Sequence, residues 1–216
     1  VAAVTAWGKV GVVAKDSPGF LVNRIARPFY SEALHLFEEQ MADMATIDWA
    51  LTELGGFRMG PFALMDLIGH DVNYVVTETV WKQFYYDPRF RPSLSQKRLL
   101  DAGWLGRKSG RGFYDYRNGA MFPEPKRDEV LGRAIVDRVV AMLINEAADA
   151  VYRGIGSESD VETAMLKGVN YPKGLIAWGR EWGWTTVRDR IEALHRRTGD
   201  TRYRVCPWIH DQISAQ

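Results

Sequence analysis

Leu21-Val-Asn-Arg-Ile-Ala-Arg-Pro-Phe-Tyr-Ser-Glu-Ala-Leu34 has a counterpart 114 positions further on, Ile135-Val-Asp-Arg-Val-Val-Ala-Met-Leu-Ile-Asn-Glu-Ala-Ala148. In both, apolar residues recur at three- and four-residue spacing, the period of an amphipathic helix. The register holds without a gap from Leu21 to Gly69 against Ile135 to Gly183. It keeps Val22/Val136, Arg24/Arg138, Glu32/Glu146, Ala33/Ala147, Ala50/Ala164, Gly60/Gly174, Ala63/Ala177 and Gly69/Gly183 identical. A period this long does not describe an open solenoid. It describes an all-α protein made of two tandem copies of one helical domain, whose similar faces are expected to bury each other as a pseudo-dimer.

Local signals divide the chain further. Asp16-Ser17-Pro18 offers a cap and an opening proline for a long helix reaching Met41, which Pro28 should kink because it lacks an N–H and its ring crowds the preceding turn. Thr46 is a candidate cap for a second helix ending near Gly55-Gly56. Pro61 opens a third helix ending near Gly69, Asp71 to Tyr86 a fourth, and Ser93 to Ala102 a fifth. The glycine-rich stretch from Gly103 to Gly112 leads into Phe113-Tyr-Asp-Tyr116, and the segment around Asn118-Gly119, Pro123 and Pro125 reads as a linker. The expected domains are therefore 16–118 and 127–216, with 119–126 between them. Before them, Val10 to Ala14 reads as a short buried strand with no sheet to join, an expectation that the chain is a piece of a longer protein.

The composition sets limits on partners. Of 216 residues, 46% are hydrophobic and 25% charged, and 28 Lys and Arg offset 27 Asp and Glu. The overall field thus gives no reason to expect nucleic acid or a membrane surface, and any anion binding must be local. The lone Cys206 excludes an intramolecular disulfide and reads as a buried or inert thiol, which fits a cytoplasmic compartment. No apolar run approaches 18 residues, so no transmembrane span is expected.

Few motifs carry chemistry. Gly103-Trp-Leu-Gly-Arg-Lys-Ser-Gly-Arg-Gly112 is not a phosphate loop, because Arg107 separates Gly106 from Lys108, and no Rossmann fingerprint occurs. Two readings remain for Arg107, Lys108 and Arg111: cations on a flexible turn that meets a phosphate or pyrophosphate, or a solvated basic loop. Asn23 also has two readings, a satisfied, partly buried amide or a carboxamide that orients a substrate oxygen or an imidazole, with Asp137 at its place in the second copy. His35, His70, His195 and His210 are scattered, without a carboxylate at ligand spacing, so no metal site is expected. Tyr85, Tyr86, Trp178, Trp182 and Trp184 read as packing residues.

Lys15-Asp-Ser-Pro-Gly-Phe-Leu-Val-Asn-Arg24, Met59-Gly-Pro-Phe-Ala-Leu-Met-Asp66 and Gly106-Arg-Lys-Ser-Gly-Arg-Gly-Phe-Tyr114 together resemble the C-terminal domain of the 3-hydroxyacyl-CoA dehydrogenases, in the family's order. The second half, with Ile144-Asn-Glu-Ala147 and Gly168-Val-Asn-Tyr-Pro-Lys-Gly174, is similar to the extra copy in longer bacterial members, which act on 3-hydroxyadipyl-CoA in phenylacetate breakdown or on 3-hydroxybutyryl-CoA. The resemblance implies a helical domain of the 6-phosphogluconate-dehydrogenase C-terminal type. It makes residues 1–15 the remnant of an N-terminal Rossmann domain, and it implies oxidation of an acyl-CoA substrate with NAD in fatty-acid or aromatic-acid degradation. On this resemblance Asn23 is the catalytic Asn and Lys108 the cofactor-binding Lys, while the His-Glu pair that removes the hydroxyl proton lies outside the chain, so the fragment alone should be inactive. Phe57-Arg58 replaces the family's usual Tyr-Pro and Leu175 replaces a Pro, and with Asp137 for Asn the second copy reads as structural. A homodimer through the helical domains is expected. The competing reading is a non-catalytic oligomerisation module.

Overall fold

The computed structural model describes residues 2–215. Among these the first helices are α1 (Ala2–Ala6), α2 (Val22–Ile25), α3 (Arg27–Glu38), α4 (Met44–Trp49), α5 (Pro61–Ile68), α6 (His70–Gln83) and α7 (Leu94–Asp101). After the linker come α8 (Glu129–Tyr152), α9 (Glu158–Thr163), α10 (Leu175–Trp182), α11 (Trp184–Thr198) and α12 (Pro207–Ser214). No β-strand occurs among the described residues, so the all-α expectation is met. The strand expected at Val10 to Ala14 is absent: the segment has no regular structure, and Val10 and Val13 are each 64% exposed. A strand is held by a neighbour's ladder, and no other strand exists among the described residues to supply one.

The two repeats differ where proline dictates. The helical hydrogen-bond ladder is interrupted between α2 and α3, with Ala26 itself still in the right-handed helical region, because Pro28 has no N–H for the Arg24 carbonyl. The equivalent of Pro28 is Met142, and α8 runs unbroken for 24 residues. Elsewhere they agree closely. Each carries a π-helical turn at the same place, Ala50–Leu54 and Ala164–Gly168. Asp48 accepts from the Phe62 and Ala63 amides, both at 2.9 Å, at the start of α5, and its equivalent Glu162 accepts from the Ile176 and Ala177 amides at the start of α10. Gly60 and Gly174 are identical for that reason. A Cβ at Gly60 would lie 2.3 Å from the Asp48 carboxyl carbon, and one at Gly174 would overlap the Glu162 carboxylate. An acidic side chain can therefore reach the positive end of the helix only past a glycine. The cap of α4 is Asp43, which accepts from the Thr46 amide, so Thr46 is not the cap itself.

The chain divides into two compact units, Val1–Ala26 with Ala141–Gln216, and Arg27–Val140. The cuts after Ala26 and after Val140 fall at equivalent positions of the two repeats, so the opening of each repeat belongs to the unit that holds the remainder of the other. The expected domains, 16–118 and 127–216, follow the repeats, and the compact units do not. An apolar helix face fits its own copy and the homologous copy equally well, so periodicity alone cannot assign the exchange.

Two buried arginines, each paired with two carboxylates, hold the exchanged segments. In the first unit Arg24 Nε donates to Glu146 at 2.7 Å and Nη2 to Asp149, with side-chain exposures of 1% for Arg24 and 3% for Glu146. In the second unit the equivalent Arg138 donates from Nε to Glu32 at 2.8 Å and pairs with Glu39 at 2.7 Å. Each identical arginine is thus paired with the identical glutamate of the other repeat.

The aromatic expectations are met in part. Trp178 and Trp184 are buried, and Trp184 meets Trp208 edge-on at 5.1 Å. Tyr85 is not a packing residue as expected, being 91% exposed, while Tyr86 is 60% exposed and meets the Trp81 ring edge-on at 4.9 Å. Both follow the end of α6 with left-handed backbone, φ 51° and 65°, which turns them outward.

Candidate active-site elements

Asp66, near the end of α5, organises the glycine-rich loop of the second unit. Its carboxylate is fully buried and accepts from the amides of Phe113 and Tyr114, both at 2.9 Å, and from the Tyr116 hydroxyl at 3.0 Å. Two glycines let the loop come this close. A Cβ at Gly112 would lie 2.1 Å from Asp66 Oδ1, and one at Gly106, where φ is 96°, would lie 2.2 Å from the Asp66 carbonyl oxygen. The loop closes on itself through paired hydrogen bonds between Gly106 and Arg111, and Ser109 Oγ accepts from the Leu105 amide. Gly112→Ala is accordingly expected to displace the loop and to cost about 1–3 kcal/mol, the usual range for overfilling a packed site. Thermal melting against wild type checks this, and an unchanged midpoint would refute it.

The loop's cations have different settings. Arg111 lies over the Trp104 ring at 3.5 Å and Arg107 over the Tyr116 ring at 5.6 Å. Lys108, on the 3₁₀ turn Arg107–Ser109, points its ammonium at Asp71 on the first turn of α6, and both side chains are more than 40% exposed. Gly69 makes room for it, since a Cβ there would lie 2.5 Å from Lys108 Nζ. The Asp71 carboxyl is held below its ordinary range chiefly by its hydrogen bond to Lys108. Beneath the loop, Tyr114 donates its hydroxyl to Asp48 at 2.9 Å. Burial pushes the Asp48 carboxyl up to about 6, against the opposing pull of its three donors.

Asn23 belongs to the first unit. Its neighbours Arg24 and Ile25 on α2 are buried, and Asn23 faces outward and is exposed. The fold thus leaves Asn23 exposed where one of its two readings had it partly buried. The two expected site residues lie in different compact units, Asn23 in the first and Lys108 in the second.

One group that sequence reasoning missed is His70. It was expected to lack a carboxylate partner, yet Nε2 lies 2.8 Å from Asp66 Oδ1 inside the core. Nδ1 is 3.3 Å from Gln96 Nε2, which in turn donates to Asn73 Oδ1 at 3.0 Å. The four-residue spacing of Asp66 and His70 was the available signal, hidden by Gly69, which ends one helix and begins the next. Among the described residues no group of three His, Cys, Asp or Glu could hold a metal ion. The Cys206 thiol is buried, which pushes its pKa up to about 11 and keeps it protonated and unreactive near neutral pH. No helix among the described residues is long and apolar enough to cross a membrane.

Residues 19–116 and 135–216 match the family model described as 3-hydroxyacyl-CoA dehydrogenase, C-terminal domain. The chain belongs to this family. As a member, it is 36% identical to the 3-hydroxyadipyl-CoA dehydrogenase of Escherichia coli K12, over 95% of its own length and 61% of the relative's. To the human mitochondrial hydroxyacyl-coenzyme A dehydrogenase it is 38% identical, over 52% of the chain and 36% of the relative. A crystal structure of 3-hydroxybutyryl-CoA dehydrogenase from Escherichia coli K12 superposes with a TM-score of 0.90 at 33% identity, covering 98% of this chain and 63% of that one. The family domain thus occurs twice here, and the chain spans less than two thirds of the length of these relatives.

Proposed function

We propose that the chain is the C-terminal, substrate-capping part of an oxidoreductase that converts a 3-hydroxyacyl-CoA to the 3-oxoacyl-CoA with NAD, in fatty-acid or phenylacetate degradation. The observation that carries this reading is Asn23: a carboxamide in the family's Val-Asn-Arg motif, turned to solvent from a helix whose next two residues are buried. A surface amide so rigidly based suits a group that must hold other atoms in place. Its N–H donates to the developing substrate carbonyl, and its oxygen accepts from an imidazole supplied by a companion dinucleotide-binding domain.

The cofactor-facing residue in this reading is Lys108. Its ammonium is exposed, set in the space a side chain at Gly69 would fill, and paired with a surface acid, which suits exchange of that acid for an anionic dinucleotide. Bound NAD supplies the hydride acceptor. The chain's own part is to present Asn23 and Lys108 and to exclude water when the companion domain closes. The second repeat, with Asp137 in place of Asn23, serves as structure, and the helical units supply a homodimer surface in a cytoplasmic enzyme. By itself the chain is inactive.

The test is an assay of the full-length protein on a series of 3-hydroxyacyl-CoA thioesters of increasing acyl length, following NADH formation. NAD reduction with at least one of them is expected. No reduction with any would overturn the reading.

A further inference from the structure

Asp66 presents a question that the active-site reading leaves open. A fully buried carboxylate costs several kcal/mol unless donors surround it. Three of its donors come from the loop, and the fourth is His70. Because Nε2 faces a carboxylate, it carries the proton, and Nδ1 is left to accept from the Gln96 amide. Gln96 is turned toward this interior by α7 and held by Asn73. Asp66, His70, Asn73 and Gln96 are all buried, so none of them touches a substrate.

The second repeat is an internal control. Helix α11 starts after Gly183 as α6 starts after Gly69, and α12 opens at Pro207 as α7 opens at Leu94, so the positions equivalent to Asp66, His70, Asn73 and Gln96 are Arg180, Trp184, Val187 and Ile209. Trp184, Val187 and Ile209 are buried, while Arg180 is exposed. The same scaffold therefore folds with an apolar interior at this place, and well-packed apolar residues commonly replace buried polar groups at no loss of stability. The copy that keeps the polar chain is the one that carries the glycine-rich loop.

We infer that His70 and Gln96 are positioning residues for the cationic loop. Through Asp66 they hold the segment from Gly106 to Tyr116 in the one arrangement that presents Lys108 to an anionic dinucleotide. This inference rests on the reading that Lys108 meets NAD. Without His70, Asp66 loses one donor, the Asp66 carboxylate is free to shift, and the two loop amides it receives loosen with it.

The test uses the full-length protein. His70→Leu is expected to raise KM for NAD about tenfold while leaving KM for the acyl-CoA and kcat within about twofold, the size typical of losing a supporting hydrogen bond behind a binding group. Hydrogen exchange at the Phe113 and Tyr114 amides should accelerate. His70→Gln, whose amide nitrogen takes the place of Nε2, should restore both, and Gln96→Leu should act like His70→Leu and serve in its place if that variant does not fold. Lys108→Ala separates the two levels of the argument by raising KM for NAD without changing the exchange of those amides. If Lys108→Ala leaves KM for NAD unchanged, the reading of Lys108 fails and takes this inference with it. If Lys108→Ala raises KM for NAD while His70→Leu and Gln96→Leu leave it unchanged, or change every parameter together with the melting temperature, the positioning role alone is overturned.

Discussion

Replacing Arg24 by methionine is expected to destabilise the protein by about 3–5 kcal/mol, the cost of stranding a buried charge whose partner has been removed. Arg24 bonds Glu146 and Asp149 in the core of the first unit, and all three side chains are almost fully buried. Methionine matches much of the volume of the arginine stem, so the loss comes from taking the cation from Glu146 more than from a cavity, while Asp149 keeps its pair with Arg153 at 2.8 Å. For a chain of this size the melting temperature should fall by about 6–20 °C. The double variant Arg24→Met, Glu146→Met should recover part of that loss, because it removes one stranded carboxylate together with its partner. Arg138→Met should give a similar but smaller effect, since one of its partners, Glu39, is a third exposed and can be solvated. Thermal melts followed by circular dichroism decide the matter. A single Arg24→Met variant that melts within a degree or two of wild type would show that the exchanged helix segments are held by apolar packing alone.

Asn23→Ala is expected to do the opposite, lowering the activity of the full-length enzyme while sparing the fold. Asn23 is exposed, and substitutions at exposed helix positions usually change stability by no more than about 0.5 kcal/mol. A group that places reacting atoms typically contributes about 10²-fold or more to the rate, so kcat/KM for the 3-hydroxyacyl-CoA should drop by at least that factor. The loss should fall mainly on kcat, because the contact strengthens as charge develops on the substrate oxygen. Asn23→Asp, which copies the second repeat, should not rescue activity, since a carboxylate offers no N–H to that oxygen. Full activity in Asn23→Ala would remove Asn23 from the reaction.

These two adjacent residues show how unevenly the molecule was legible. Arg24 and Glu146 were visible as identities between the repeats, but nothing in the pattern said that each would pair with the other copy's partner. Gly60 and Gly174 were visible in the same way, and only the approach of Asp48 and Glu162 to the helix ends explains them. The kink at Pro28 was readable because proline acts on its own turn of helix. Val10 to Ala14, read as a strand with no sheet to join, is without regular structure, because a strand needs a neighbour's ladder and the described residues supply none. Asn23 had two readings, a partly buried amide or an orienting carboxamide, and the structure shows only that it is exposed.

What the sequence determined by itself is the class of the fold and its duplication. Helical periodicity, capping residues and a 114-residue offset are local or self-referential features that survive without coordinates. It also determined the family, through three motifs kept in order. Only the tertiary structure decided which copy each opening helix segment joins, because an amphipathic face encodes that it will be buried and not what will bury it. Only the tertiary structure, too, brought Asp66, His70, Gln96 and Asn73 into one buried chain beneath Lys108, since the cost of an unpaired buried polar group is settled by neighbours far away along the sequence.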